Sequence, residues 1–88
     1  MSILSGSAFQ EKLAKLKTEL AEELGCINGD SDIDTDVPLE QVCELETDGP
    51  DLLQYISDEY GPEWDIYEDF DLDVSIHDIA VKLLHYLH

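Results

Sequence analysis

Four alternating aspartates form the densest group of potential metal ligands in the chain. They match positions 1, 3, 5 and 7 of the EF-hand calcium loop: Asp30, Asp32, Asp34 and Asp36. The pattern then fails, because position 6 is Thr35 where a glycine makes the sharp turn, and position 12 is Gln41 where a bidentate glutamate is needed. We therefore expect only weak, diffuse cation association from these mutually repelling carboxylates. A calcium-responsive module is the third of three functions considered.

The remaining reactive side chains form no recognisable catalytic or redox pattern. Cys26 and Cys43 lack the C-x-x-C spacing of a redox or zinc site, and we expect both to be reduced and buried. The sequence has no glycine-rich phosphate loop and no cysteine–histidine nucleophile signature. We predict that the protein is not an enzyme.

The charge is the most unusual property of the sequence. The chain has 22 acidic residues, four lysines and a net charge of −18. All the acidic residues except Glu11 lie between Thr18 and Val81, where there is no lysine or arginine. Such a field repels nucleic acid and anionic lipid and attracts basic protein surfaces. We expect a basic protein surface as the partner, no direct nucleic-acid or membrane binding, and a monomer.

The length supports one domain over residues 1–88, with residues 1–6 expected to be flexible. A chain of 88 residues buries only about 60–65% of its unfolded surface, so the core must be economical. No apolar run approaches the roughly 20 residues that cross a bilayer. The first ten residues also lack the charged start and long apolar centre of a secretory signal. We therefore expect a cytoplasmic protein.

The first and last helices have clear periodicity and start signals. A first helix is predicted over 7–24, with Ser7 and Gln10 as a capping box and Gly25 as the stop. Its apolar face is Phe9, Leu13, Leu16, Leu20 and Leu24. A last helix is predicted over 76–87, opened by a capping box of Ser75 and Asp78. Its core face is Ile76, Ile79, Ala80, Leu83, Leu84 and Leu87.

In the middle of the chain, the sequence predicts one strong helix, with a helical turn before it and a short helix after it. The strong helix spans 49–60, with Asp48 as its cap, Pro50 in its first turn and Gly61 as its stop. Before it, Leu39, Val42 and Leu45 predict a helical turn that packs on the bundle. After it, the spacing of residues 66–70 predicts a short third helix. The apolar residues around that helix, expected mainly in the core, are Trp64, Ile66, Tyr67, Phe70 and Leu72.

These elements resemble the acyl carrier protein family. The acidic lead-in and the end of the strong helix, Ser57-Asp58-Glu59-Tyr60, are similar to the family's central helix. Residues 24–25, Leu-Gly, are similar to the end of its first helix, and residues 74–80, VSIHDIA, to the start of its last. The resemblance covers residues 9–87. It implies an all-α, small four-helix bundle with three main helices and a short third helix.

The residue that carries the prosthetic group in that family is missing. Acyl carrier proteins bear phosphopantetheine on a serine at the start of the central helix. Matching the helix ends puts Glu46 at that position, and matching on the capping aspartate puts Gly49 there. Neither side chain has a hydroxyl, so we expect no phosphopantetheine and no cofactor. The chain looks most like small bacterial carrier-like proteins that also lack this serine.

The resemblance also implies a partner-binding surface. In acyl carrier proteins the acidic face of the central helix docks on basic patches of partner enzymes. The same face here carries Asp48, Asp51, Gln54, Tyr55 and Asp58. The first function that we consider is therefore a non-catalytic interaction module. The second is an acidic inhibitor, such as an immunity protein, an antitoxin or a nucleic-acid mimic, and a plain solvated helix surface is the alternative interpretation of the face.

Overall fold

The protein, analysed as a computed structural model that describes residues 6–29 and 33–87, is all-α. Its helices are α1 (Gly6–Asn28), α2 (Leu45–Tyr60) and α3 (Ile76–Leu87), with a 3-10 helix (Leu39–Gln41) before α2. The described ranges contain no strand, and one isolated bridge joins Pro38 to Ser75. None of the described helices is long and apolar enough to cross a membrane. Of the segment expected to be flexible, Gly6 begins α1 and residues 1–5 lie outside the described residues.

Helix α1 buries its predicted apolar face but is longer than predicted. Leu13, Leu16, Leu20 and Leu24 are buried, and Phe9 packs against the core. The stop at Gly25 was wrong, because Gly25 is helical and α1 continues to Asn28. Gly29 has a φ of 77° and donates its N–H to the carbonyl of Gly25 at 2.8 Å, so it ends the helix. The helix already includes Ser7, so Ser7 does not precede it as the predicted capping box required.

Helix α2 begins four residues before the predicted start. Glu44 precedes the helix, and its carbonyl accepts the N–H groups of Thr47 at 3.1 Å and Asp48 at 2.7 Å. Pro50 therefore lies inside the helix rather than in its first turn. Asp48 does bond to a free N–H, that of Glu44 at 3.2 Å, but it does so from within the helix. Gly61 has a φ of 110° and ends α2 as predicted.

The predicted short third helix is a single turn. Asp65 accepts the N–H groups of Tyr67 at 2.9 Å and Glu68 at 2.8 Å through its carboxylate. The carboxylate of Asp69 accepts the N–H of Asp65 at 2.7 Å. One helix-type backbone bond is also present, from the N–H of Asp69 to the carbonyl of Asp65 at 3.0 Å, and the aspartate side chains take the neighbouring N–H groups. The described residues therefore form three α-helices, not the four predicted.

Helix α1 packs against both α2 and α3 and forms the centre of the core. The loop before α2 is fixed to the start of α3, because Leu39 donates its N–H to the carbonyl of Val74 at 2.7 Å and His77 donates to Thr35 at 2.9 Å. Leu39 is fully buried, which confirms the predicted turn. Helix α3 has its predicted bounds, and both bonds of the capping box between Ser75 and Asp78 are 3.2 Å long.

Four residues expected in the core are exposed. The side chains of Tyr67, Leu72 and Leu87 are 49%, 65% and 43% exposed. Cys26 is also exposed, because the extension of α1 places it on the outer side of the helix, and both cysteines are free. The core is completed instead by residues between the helices, chiefly Ile66 and Val74.

Candidate docking surface on the second helix

The outward face of α2 is acidic and contains no cation. Asp51, Gln54 and Asp58 are exposed, and successive members are three and four residues apart, which places them on one face of the helix. The amide Nε2 of Gln54 donates to Oδ1 of Asp58 at 3.0 Å, which orders the two side chains. No lysine, arginine or histidine occurs within α2. The face can therefore attract a basic surface without first breaking an ion pair on its own helix.

Tyr55 does not belong to this outward face, contrary to the expectation of an exposed tyrosine. Its side chain is half-buried, and its hydroxyl donates to Oε2 of Glu19 on α1 at 2.9 Å. Tyr60 donates to the same carboxylate oxygen. Burial, followed by the bond to Glu19, raises the pKa of Tyr55 to about 12 and moves the pKa of Tyr60 in the same direction. Both phenols are protonated donors at neutral pH, and they join α2 to α1.

Asp48 is also partly occupied by a contact within the protein. It is half-buried, and its carboxylate accepts the N–H of Glu44. Negative charge in the first turn of a helix also stabilises the helix dipole. Asp48 therefore stabilises the start of α2, and the three exposed residues remain as the outward face: Asp51, Gln54 and Asp58.

The structure separates the two positions considered for the carrier serine. Glu46 is exposed and is the second residue of α2. Gly49 is buried, and a Cβ added to it would lie 3.1 Å from Cγ1 of Ile66. A side chain at Gly49 would meet the core, whereas one at Glu46 meets solvent. Only position 46 could present a group to a modifying enzyme.

The loop that contains the alternating aspartates, in its described part, is joined to α1 by an ion pair. Asp36 and Lys17 of α1 are joined by a 3.0 Å contact between Oδ1 and Nζ, and Oδ1 of Asp34 accepts the N–H of Asp36 at 2.9 Å. The hydrogen bond and charge of Lys17 lower the pKa of the Asp36 carboxyl. Asp30 and Asp32 lie outside the described residues. Among the residues that are described, no three metal-binding side chains come together.

Two clusters were missed by the sequence analysis. One is the group of Tyr55, Tyr60 and Glu19, whose members are 36 and 41 residues apart in the chain. The other surrounds Trp64, where the ammonium of Lys82 lies 5.4 Å from the Trp64 ring centre and 5.3 Å from that of Phe70. Such distances favour a cation–π interaction. The members of each cluster come from different segments, so the periodicity of a single helix cannot predict either cluster.

No protein-family model, curated protein or solved structure is significantly similar to this chain.

Proposed function

We propose that the protein is a non-catalytic, acyl-carrier-like interaction module that docks on a basic protein surface through α2. The observation that carries this proposal is the exposed, cation-free face of Asp51, Gln54 and Asp58. The contacts of Tyr55 and Tyr60 with Glu19 support it, because they hold this face in a fixed orientation on α1. Preorganised surfaces lose less entropy on binding than mobile ones.

The order of the elements supports the carrier-like part of the proposal. A long first helix, a loop with a helical turn, a second acidic helix, an irregular segment and a last helix follow one another. The segment 61–75 takes the place of the short third helix of the carrier family. Glu46, one of the two positions matched to the modified serine of that family, is exposed at the start of α2. We propose that the protein acts without phosphopantetheine.

Restoring a serine tests the carrier-like arrangement. The wild type, Glu46→Ser and Gly49→Ser are each co-expressed with a promiscuous phosphopantetheinyl transferase, and their intact masses are measured beside a true carrier. We expect a phosphopantetheine-sized increment only in Glu46→Ser, because Gly49 faces Ile66. Modification of the wild type would show an attachment site at another hydroxyl and would overturn the proposal. An unmodified Glu46→Ser, with the true carrier modified, would remove the carrier-like part.

Charge reversal tests docking through α2. Asp51→Lys with Asp58→Lys is compared with Glu11→Lys and Glu22→Lys, which change the net charge equally at exposed positions of α1. Each variant is used to capture proteins from a lysate at two salt concentrations, followed by quantitative mass spectrometry. We expect the α2 variant alone to lose basic partners that the wild type retains. Equal losses in both variants would instead favour an acidic inhibitor that uses its whole surface.

A further inference from the structure

A second surface feature lies beside the start of α2. A groove of about 470 Å³ separates the turn before α2 from the segment 61–75. Its lining includes Tyr67 and Leu72 from that segment and three glutamates from the turn and the helix start: Glu40, Glu44 and Glu46. The groove therefore combines apolar side chains with a row of carboxylates.

The apolar side chains of the groove are unusually accessible. Leu72 is 65% exposed and Tyr67 is 49% exposed, although Ile66 and Val74 in the same segment are buried. Burying an exposed leucine or tyrosine against a partner removes apolar surface from water and favours binding. Two such side chains in one concave site offer a binding surface that isolated exposed residues do not.

The glutamates of the groove have no cationic partner among residues 6–29 and 33–87. In the ranges that the structure describes, no lysine or histidine pairs with the carboxylates of Glu40, Glu44 or Glu46. Desolvation, followed by the negative charges of Glu46 and Asp65, raises the pKa of the Tyr67 phenol, which is consistent with Glu46 lying close to it. An occupant of the groove must therefore carry positive charge beside apolar groups.

We propose that this groove binds a basic peptide segment of a partner protein, with leucine-like side chains on Tyr67 and Leu72 and flanking lysines or arginines on the three glutamates. The proposal rests on the proposed function, since it assumes docking on a basic partner and adds where and how that partner is recognised. A second copy of the chain is a poor occupant, because a net charge of −18 repels a molecule of the same charge. An uncharged apolar ligand would form no ion pair with the three glutamates of the groove.

Two labelled peptides test the apolar part of the recognition. One is Lys-Lys-Leu-Lys-Lys-Leu-Lys-Lys with a fluorescein label, and the other has both leucines replaced by serine. Fluorescence anisotropy measures their affinities for the wild type. We expect the leucine peptide to bind about tenfold more tightly or better, because burial of two leucines adds to an equal electrostatic attraction.

Matched variants locate the preference for leucine. Tyr67→Ser with Leu72→Ser should reduce the affinity ratio of the two peptides to about one. Tyr86→Ser with Leu87→Ser removes the same residue types from exposed positions of α3 and should leave the ratio unchanged. Equal binding of both peptides to the wild type would overturn the proposal, as would a ratio that survives loss of Tyr67 and Leu72. Circular dichroism confirms that each variant is folded.

Failure of this proposal can be distinguished from failure of the proposed function. Asp51→Asn with Asp58→Asn should weaken both peptides alike if the outward face of α2 contributes to docking. No change in that variant, with the leucine preference intact, would contradict docking through α2 and support the groove alone. A weakening of both peptides without any leucine preference would support α2 docking and contradict the groove.

A cysteine provides an independent footprint of the same groove. Cys43 lines the groove, and Cys26 is exposed on α1. The saturating leucine peptide should slow alkylation of Cys43 at least severalfold and leave the rate at Cys26 unchanged. Equal slowing at both cysteines, or none at Cys43, would contradict occupation of the groove.

Discussion

Glu19 on α1 makes a polar contact with α2. Two phenols from α2 donate to one of its oxygens, although the chain is otherwise dominated by mutually repelling carboxylates. A carboxylate that accepts two hydrogen bonds is stabilised by donors rather than by a cation. The carboxylate of Glu19 therefore joins two helices through hydrogen bonds from tyrosines, and no lysine is needed to balance its charge.

Removing this acceptor should destabilise the fold. Glu19→Ala leaves the hydroxyls of Tyr55 and Tyr60 without their shared partner, and we expect a loss of about 1–2 kcal/mol in the free energy of unfolding. The value lies in the lower part of the range for unsatisfied groups because both tyrosines are only half-buried. Urea denaturation followed by circular dichroism measures it. Glu22→Ala, at an exposed position of the same helix, should change stability by less than about 0.5 kcal/mol.

The same two tyrosines predict a loss of stability in alkaline solution. The pKa of Tyr55 is raised to about 12, and that of Tyr60 is also raised, whereas an unfolded tyrosine titrates near 10. Below about pH 10 both states are protonated and the contribution is complete. Between about pH 10 and 12 the unfolded state releases its protons first, so stability falls as the pH rises.

Urea midpoints between pH 9 and pH 12 measure this effect. The double variant Tyr55→Phe with Tyr60→Phe should lose less stability over this range than the wild type. Parallel curves for the two proteins would show that other groups cause the alkaline loss.

At the scale of the elements, the sequence predicts helix ends well where a local capping motif is present and poorly where it is not. Helix α3 was predicted with its observed bounds because Ser75 and Asp78 form a capping box within four residues. The end of α1 was misplaced because glycine tolerates a helical conformation, and nothing local distinguishes Gly25 from Gly29. The start of α2 was misplaced because proline is favoured in the first turn of a helix, whereas Pro50 lies inside this one.

The candidate site was predictable only in part, for the same reason. Asp51, Gln54 and Asp58 were placed correctly on the exposed face because helical spacing alone determines it. Tyr55 was misplaced because its partner, Glu19, lies on another helix. The groove beside α2 was missed because Tyr67 and Leu72 are exposed in the structure, whereas their apolar side chains predicted core positions.

The capping box of α3 makes a prediction for this element. Ser75→Ala removes the acceptor for the N–H of Asp78, and Ser75 is buried, so water cannot replace it freely. We expect a loss of about 1 kcal/mol, the usual cost of losing a serine cap. Thr18→Ala, in the exposed middle of α1, should be neutral or slightly stabilising. A loss as large in Thr18→Ala would mean that the cap itself contributes little.

At the scale of the whole molecule, repulsion between carboxylates opposes the compact state. The protein carries 22 acidic residues, and in its described part Lys17 with Asp36 is the one ion pair formed by a lysine. The other three lysines are too few to neutralise the rest. Salt screens repulsion and attraction alike, so the larger of the two determines the sign of its effect.

Sodium chloride should therefore stabilise the protein. Between about 10 mM and 500 mM salt we expect the free energy of unfolding to rise by about 1 kcal/mol, which raises the Tm by about 4–8 °C for a domain of this size. Lys17→Ala removes an attraction and adds to the net negative charge, so its Tm should depend on salt at least as steeply. Choline chloride should act like sodium chloride, because screening needs no specific cation. A Tm that falls with salt would show that attractive pairs dominate, and a rise confined to calcium would instead indicate specific binding by the aspartates of the first loop.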